Sequence, residues 1–410
     1  MAERKRPPNS TAPDGAILVI NSGSSSVKFA LFSGPQHLRR LWSGTIERIG
    51  LPKGRFHIVD ATHLTLRDES KDIPDHQAAL SLLLYAIEAD HPRPLEAVGH
   101  RIVHGGPDCD CPLVVTPAVE NRLRGLIPLA PLHQPHNLAG IAAVRSARPS
   151  LPQIACFDTA FHRSLPRLAT LTALPREFCD EGICRYGFHG LSYEYVADAL
   201  RRQGVKLDRE RIIIAHLGNG ASMCALRHGQ SVETTMGFST LAGLPMGTRC
   251  GDLDPGVILY LLAEKGMTVE RVQRLLYKES GLLGVSGLSR NMQDLLAKAA
   301  EPAAAEAVEL FCYQARRHLA ALTAALGGLD RVVFTGGIGA NAPAVRAKIC
   351  AGLEYLGIVL DAERNVAGGR DVSADASRVA IEAFSTDEEL MIARHVRNVL
   401  PQADAQWAAP

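Results

Sequence analysis

The chain has 410 residues and a formal net charge of +1, with 44 Lys plus Arg against 43 Asp plus Glu, a balance that offers neither the basic surface nucleic acid requires nor an acidic excess. Its length predicts two or three domains with ample core, no apolar run approaches the roughly 18 residues that span a bilayer, and the polar first residues are not a secretory signal. The nine cysteines are odd in number, scattered and without zinc spacing, which predicts reduced thiols in a cytoplasmic protein.

Residues 1–16 read as a disordered tail. Residues 17–32 then open with four apolar residues, Ile17 to Ile20, which predict a buried strand. The chain turns through Asn21-Ser-Gly-Ser-Ser-Ser26 and leaves through Val27, Phe29 and Leu31 as a second strand. A tip of small residues lets backbone N–H groups approach an anion, and Lys28 adds a point charge; an ordinary serine-rich turn is the plainer alternative. Residues 77–88 read as an amphipathic helix, and 97–106 as a strand ending on a Gly pair. Helices are expected at 117–127 and 137–148. Residues 153–158 read as a strand that delivers Asp158 at its end, and 193–203 as a helix.

Residues 212–226 repeat the opening plan: apolar strand, the small polar tip Gly218-Asn-Gly220, second strand. Setting Gly23 against Gly218 places Asn21 on His216, which suggests two related halves. A helix starts at Asp254-Pro255-Gly256, and a long one covers 303–326 before Gly327-Gly328. Residues 331–341 read as a strand running into the loop Gly336-Gly-Ile-Gly-Ala-Asn341, with Pro343 in the first turn of a following helix, a form suited to nucleotide phosphates. A strand at 379–384 leads to Thr386-Asp-Glu-Glu389, a capping box for the last helix. Alternating strands and helices predict an α/β protein. Glu388 sits just past a strand end, where ligands bind in open α/β sheets, although a carboxylate there also simply favours the helix dipole.

Nine ordered segments resemble the acetate kinase family, within the acetate/propionate/butyrate kinase group. They are Asn21-Ser-Gly-Ser-Ser-Ser-Val-Lys28, Gly99-His-Arg-Ile-Val-His-Gly-Gly106, Ala130-Pro-Leu-His133, Phe157-Asp-Thr-Ala-Phe-His162, Arg185-Tyr-Gly-Phe-His-Gly190, His216-Leu-Gly-Asn-Gly220, Met246-Gly-Thr-Arg-Cys-Gly-Asp-Leu-Asp-Pro255, Gly336-Gly-Ile-Gly339 and Thr386-Asp-Glu-Glu389. The resemblance implies a duplicated actin/hexokinase-like (ribonuclease H-like) α/β fold with the active site in the cleft between two lobes. The expected lobes are 17–162 plus 387–410, and 163–386. It agrees with the lack of a G-x-x-x-x-G-K-[ST] loop.

The implied activity is reversible, in-line transfer of the ATP γ-phosphoryl to acetate. Propionate or butyrate kinase, or a non-catalytic nucleotide-binding protein on the same fold, are the alternatives. Bringing two anions together demands cations and fixed donors. By resemblance, Arg101 clamps the acceptor carboxylate with His133 nearby, Asp158 orients Arg101 or substrate, and Arg249 and His189 stabilise the moving phosphoryl group. Read without the resemblance, Arg249 could pair with Asp252 or Asp254, and His189 could be a satisfied core residue. Lys28, His216, Leu217, Gly218, Asn219, Gly220, Asn291, Met292, Gln293 and Gly336 to Asn341 (Gly336, Gly337, Ile338, Gly339, Ala340, Asn341) are expected to hold ATP. Asn21 and Glu388 are expected to hold Mg²⁺, with Mn²⁺ as a substitute. A homodimer is the family's usual assembly. The chain departs from the family at Asn291-Met292-Gln293, where Asp-Met-Arg is usual, at Leu191 and Tyr193, where Thr and His are common, and at His136.

Overall fold

The computed structural model describes residues 15–34, 38–91 and 93–407. Most of the expected 1–16 tail lies outside them, but Ala16 is buried and already belongs to the first strand. The chain divides into two compact units: Met1–Val103, Cys111–Phe157 and Glu389–Pro410 form one, His104–Asp110 and Asp158–Glu388 the other.

The first unit is built on β1 (Ala16–Ser22), β2 (Ser26–Phe32), β3 (Arg40–Glu47), β4 (Gly54–Asp60), β5 (Thr65–Lys71), β6 (Leu95–Ile102), β7 (Leu113–Val114) and β8 (Gln153–Phe157), in the order β5-β4-β3-β2-β1-β6-β8-β7. The hairpin read at 17–32 is present, with Ile17 opposite Phe32 and Asn21 opposite Lys28. Because directly opposed residues share a face, Asn21 and Lys28 project to the same side of the sheet. The β1 residues Ala16, Leu18 and Ile20 join Val27, Phe29 and Leu31 of β2 in a core closed by Leu80, Leu83, Leu84 and Ile87. Those last four come from the helix His76–Asp90, whose first turn is capped by Asp75 accepting from the Ala78 N–H at 2.8 Å.

The second unit carries β9 (Ile212–Leu217), β10 (Ala221–Arg227), β11 (Gln230–Thr234), β12 (Arg331–Thr335) and β13 (Ala380–Ala383), in the order β11-β10-β9-β12-β13. From β11 to β13 the pairings run antiparallel, antiparallel, parallel, parallel. The stretch β3-β2-β1-β6-β8 has the same sequence of pairings. The internal repeat is therefore a repeat of sheet topology, with one difference. In the first hairpin Ser22 faces Val27, whereas in the second Leu217 faces Ala221, so the second tip is shorter by one residue. The core of this unit packs Ile212, Ile214, Cys224, Leu226 and Val333 against Tyr193, Val196 and Leu200 of the helix Gly190–Arg202.

Several boundaries differ from expectation. The helices expected at 137 and 193 start at Gln134 and Gly190, because His133 and His189 occupy the N-cap positions without any side-chain capping bond. The strand expected to reach residue 106 stops at Ile102. The expected loop 336–341 is itself a short helix, followed at once by the helix Pro343–Cys350. The last helix begins at Glu388, one residue too late for Thr386 to cap it, and the Thr386 hydroxyl is buried without a hydrogen-bond partner. The expected capping box is not formed.

Candidate active site

The second unit resumes directly after β8 at the buried Asp158, whose carbonyl accepts from the Gly190 N–H at 2.9 Å. A Cβ on Gly190 would stand 2.2 Å from that carbonyl oxygen, so only glycine permits this approach. The contact anchors His189, which takes a left-handed backbone conformation (φ 60°, ψ 23°), unusual for a side chain with a Cβ. His189 Nδ1 lies 2.8 Å from Ser222 Oγ on β10, and Tyr193 OH lies 2.5 Å from the same oxygen. The His189 and His216 rings stack with centroids 4.3 Å apart at 23°, and His216 Nδ1 lies 2.8 Å from Ser192 Oγ.

His162, which sequence reasoning left without a role, holds this arrangement from below. Its Nε2 lies 2.9 Å from the Phe188 carbonyl and its Nδ1 2.9 Å from Ser231 Oγ. A neutral ring meets both by donating from Nε2 and accepting at Nδ1. Burial pushes its pKa down to about 4, against the small upward pull of the Phe188 bond.

Arg249 reaches the same place from the loop after β11. Its Nη1 donates to the Thr240 carbonyl at 2.6 Å. The acids that could have absorbed it are engaged elsewhere: Asp252 accepts from the Gly243 N–H at 2.7 Å and lies 3.3 Å from His318 Nε2, while Asp254 accepts from the Gly256 N–H at 2.8 Å. Burial opposes ionisation of Asp252, but His318 and the Gly243 N–H hold its carboxyl below the usual range. The point of convergence is Gly220, at the β9–β10 tip. A Cβ there would stand 2.8 Å from Arg249 Nη2 and 3.1 Å from His189 Nε2. A cation and an imidazole nitrogen thus flank one backbone position, suited to an oxyanion with several oxygens.

Several of the segments expected to hold the nucleotide are also brought together. Register places Thr335, at the end of β12, beside His216 of β9, so the helix Gly336–Asn341 begins next to the β9–β10 tip. A Cβ built on Gly218 would lie 3.9 Å from the Gly337 nitrogen. Met292, Gln293, Leu296, Gly337, Ile338 and Asn341 line a cavity of about 300 Å³. Asn291 does not: it is exposed, and its Nδ2 donates to Asp294 Oδ2 at 3.2 Å. Beneath Gly339 and Ala340 lies Arg346, fully buried and unnoticed in the sequence. Its Nη1 donates to both of their carbonyls at 2.8 Å, and its Nε donates to Asn365 Oδ1 at 2.7 Å.

In the first unit, Arg101 stands at the end of β6 with Cys156 of β8 as its parallel neighbour. The buried Asn137 ties this end to β1: its Oδ1 accepts from the Val103 N–H at 3.0 Å, and its Nδ2 donates to the Ser22 carbonyl at 3.1 Å. Lys28 is exposed on β2 opposite Asn21, and His76 Nε2 holds the Gly23 carbonyl at 2.7 Å. His133 occupies the N-cap position of the helix Gln134–Ala147 without a side-chain capping bond. Glu388, the last residue of the second unit, is the half-buried first residue of the last helix.

The profile of the Acetokinase family matches residues 16–394. An acetate kinase of Rhodopseudomonas palustris is 50% identical over 390 residues, 93% of this chain and 97% of that protein. One from Rhizobium meliloti is 46% identical over 95% of this chain and all of its own length. Among solved structures, Porphyromonas gingivalis acetate kinase superposes with a TM-score of 0.85 at 37% identity, covering 94% of this chain and 100% of its own. A Francisella tularensis propionate kinase does so with a TM-score of 0.87 at 35% identity, covering 93% and 98%.

Proposed function

The chain belongs to the acetokinase family, and from that premise we propose that it transfers the γ-phosphoryl group of ATP to acetate, giving acetyl phosphate and ADP, and runs the reverse reaction. It is a phosphotransferase with a carboxyl group as acceptor. The observation that carries the site assignment is the approach of Arg249 and His189 to Gly220, on the same tip as Gly218, which lies near Gly337 of the cavity lined by Gln293 and Ile338.

In the proposed reaction an acetate oxygen attacks the γ-phosphorus while the bond to the β–γ bridging oxygen breaks, and ADP carries away the electron pair. Arg249 donates to the equatorial oxygens as their charge spreads, and His189 donates alongside it. Arg101 takes the acceptor carboxylate by its planar fork, with His133 nearby. Asp158 orients these groups and takes no proton. Lys28, the 216–220 tip and the 336–341 segment hold the phosphates, and Met292 and Gln293 pack on the base.

Among the described residues no group of three or more His, Cys, Asp or Glu is arranged to bind a metal. The hard amide and carboxylate oxygens of Asn21 and Glu388 suit Mg²⁺, which keeps waters and phosphate oxygens and needs few protein ligands. The buried, unbonded hydroxyl of Thr386 adds an oxygen beside Glu388 in sequence. Bound there, Mg²⁺ would neutralise charge on the β- and γ-phosphates.

All nine cysteines are thiols rather than disulfide halves, which supports a cytoplasmic location, and among the described residues no helix is long and apolar enough to cross a membrane. The helix Pro255–Ala263 exposes Val257, Leu259 and Tyr260 at 40%, 66% and 52%, an apolar face that supports a homodimer, and sedimentation should give twice the chain mass.

Trapping acyl phosphates as hydroxamates, with acetate, propionate and butyrate each supplied with ATP and Mg²⁺, tests the function. Acetate should have the highest kcat/KM. A higher value for propionate or butyrate would reassign the acceptor, and no hydroxamate from any of them would refute the reading.

A further inference from the structure

Tyr193 and Ser222 take no part in the assignments above, yet they lie directly behind His189. Tyr193 is fully buried, and the only hydrogen-bond partner of its hydroxyl among the described residues is Ser222 Oγ, at 2.5 Å. Ser222 is fully buried too, and its hydroxyl has two partners, Tyr193 OH and His189 Nδ1 at 2.8 Å. Proton bookkeeping then fixes the direction of the chain. A buried phenol that accepted from Ser222 would leave its own hydrogen unbonded, which costs the full desolvation penalty of a donor. Tyr193 therefore donates to Ser222. Having accepted once, Ser222 turns its single hydrogen toward His189 Nδ1. A ring nitrogen that accepts carries no proton, so the imidazole proton sits on Nε2, the nitrogen that lies beside Arg249 Nη2 at Gly220.

We propose that Tyr193 and Ser222 are positioning residues that lock His189 as the neutral Nε2–H tautomer, a fixed, uncharged donor aimed at the transferring phosphoryl group. The proposal rests on the phosphotransfer reading for its last clause only; the tautomer itself does not depend on it. Burial raises the Tyr193 hydroxyl well above the ordinary phenol range, which keeps its proton in place as a donor throughout the working pH range. An imidazolium at His189 would bring a second hydrogen against Ser222, forcing the serine to turn away and its hydrogen to lose its acceptor. The chain thus favours a hydrogen-bond donor over a general acid at this position. Tyr193 stands where the family commonly has His, so this donor is a feature of the present sequence.

The test is long-range ¹H–¹⁵N correlation on the full-length protein labelled in its histidines, with His189 assigned by its loss in His189→Gln. Nε2 should show a protonated-type ¹⁵N shift and Nδ1 an unprotonated one. In Ser222→Ala and Tyr193→Phe the two shifts should move toward each other as the tautomers mix. In both variants kcat should fall about three- to tenfold, the value of one neutral hydrogen bond, with KM for acetate and ATP within about twofold of the parent. Two variants are used so that a folding defect in one leaves the other decisive. A parent protein protonated at Nδ1 would overturn the proposal. So would variants that melt at lower temperature but keep the parental ring shifts, since a purely structural role predicts that. Absence of hydroxamate formation by the parent protein would instead sink the phosphotransfer reading and leave the tautomer assignment standing.

Discussion

Gly220→Ala separates catalysis from stability at a single methyl group. The added Cβ would stand 2.8 Å from Arg249 Nη2 and 3.1 Å from His189 Nε2. Ordinary carbon–nitrogen contacts begin at about 3.4 Å, so the guanidinium must move by roughly half an ångström or more. Arg249 is long and jointed, and Gly220 does not have a left-handed backbone, so the fold can absorb the methyl at low cost. The expected change in stability is below about 1 kcal/mol. The catalytic loss is larger, because a misplacement of about 1 Å at a reacting centre costs about 10²-fold in rate. Arg249→Ala, which removes the group outright, should cost about 10³–10⁵-fold. The methyl acts through Arg249 and His189, so it should cost far less in an Arg249→Ala background than alone. Hydroxamate kinetics on the two single variants and the double variant, with urea melts of each, complete the cycle. A kcat within threefold of the parent, or an undiminished loss in the Arg249→Ala background, would refute the convergence of these groups on one oxyanion.

Arg101→Ala should raise KM for acetate about 10–100-fold, the ~1.5–3 kcal/mol of a charged hydrogen bond, and an unchanged KM would remove Arg101 from the acceptor site. Arg346→Met should cost ~3 kcal/mol or more in urea melts and raise KM for ATP, because the Gly339 and Ala340 carbonyls lose their buried donor; a neutral result would show that the 336–341 helix stands without it. Burial pushes His100, His104 and His162 down to about 4, so their neutral forms stabilise the fold fully above about pH 6.5, and that stability is lost as pH falls toward 4. Each should cost about 2 kcal/mol by pH 5, and melts that are flat between pH 7 and 5 would show that these rings stay hydrated. Gln293→Arg should lower KM for ATP by about two- to thirtyfold if the base packs on this side chain, through a cation–π gain of ~0.5–2 kcal/mol, and no change would place the base elsewhere.

The parts legible in the sequence were those written in local pattern. Apolar runs flanking small polar tips gave both hairpins, and the offset between them gave the repeated sheet. The helix starts at Gln134 and Gly190 were missed by three residues for a physical reason. His133 and His189 hold the N-cap positions without a capping bond, so the Ser, Thr, Asp or Asn that marks a start is missing. Thr386 misled in the opposite sense, since it has the right spacing for a capping box and makes no bond. Arg346 drew no notice in the sequence, because only the tertiary fold turns it inward. Asn137, His162 and Ser222 were silent because their partners lie 26 to 115 residues away and depend on strand register.

Electrostatics explains why a neutral donor is the workable choice beside Arg249. The His189 and His216 rings lie face to face with centroids 4.3 Å apart. Two unit charges at that distance repel by about 4 kcal/mol at an effective dielectric of about 20, so protonating both rings is strongly disfavoured. A third cation, Arg249, already faces His189 across Gly220. If His189 were charged in the resting protein, nucleotide binding would have to offset this repulsion, and that stabilisation would act on bound ATP as much as on the transition state. Such uniform binding lowers KM without raising kcat. A neutral Nε2–H avoids the cost. Its hydrogen bond strengthens as negative charge builds on the equatorial oxygens, so its contribution is greatest where the barrier lies. In the proposed site Ser222 supplies the direction of that N–H, Tyr193 supplies the direction of Ser222, and Arg249 supplies a full charge beside it.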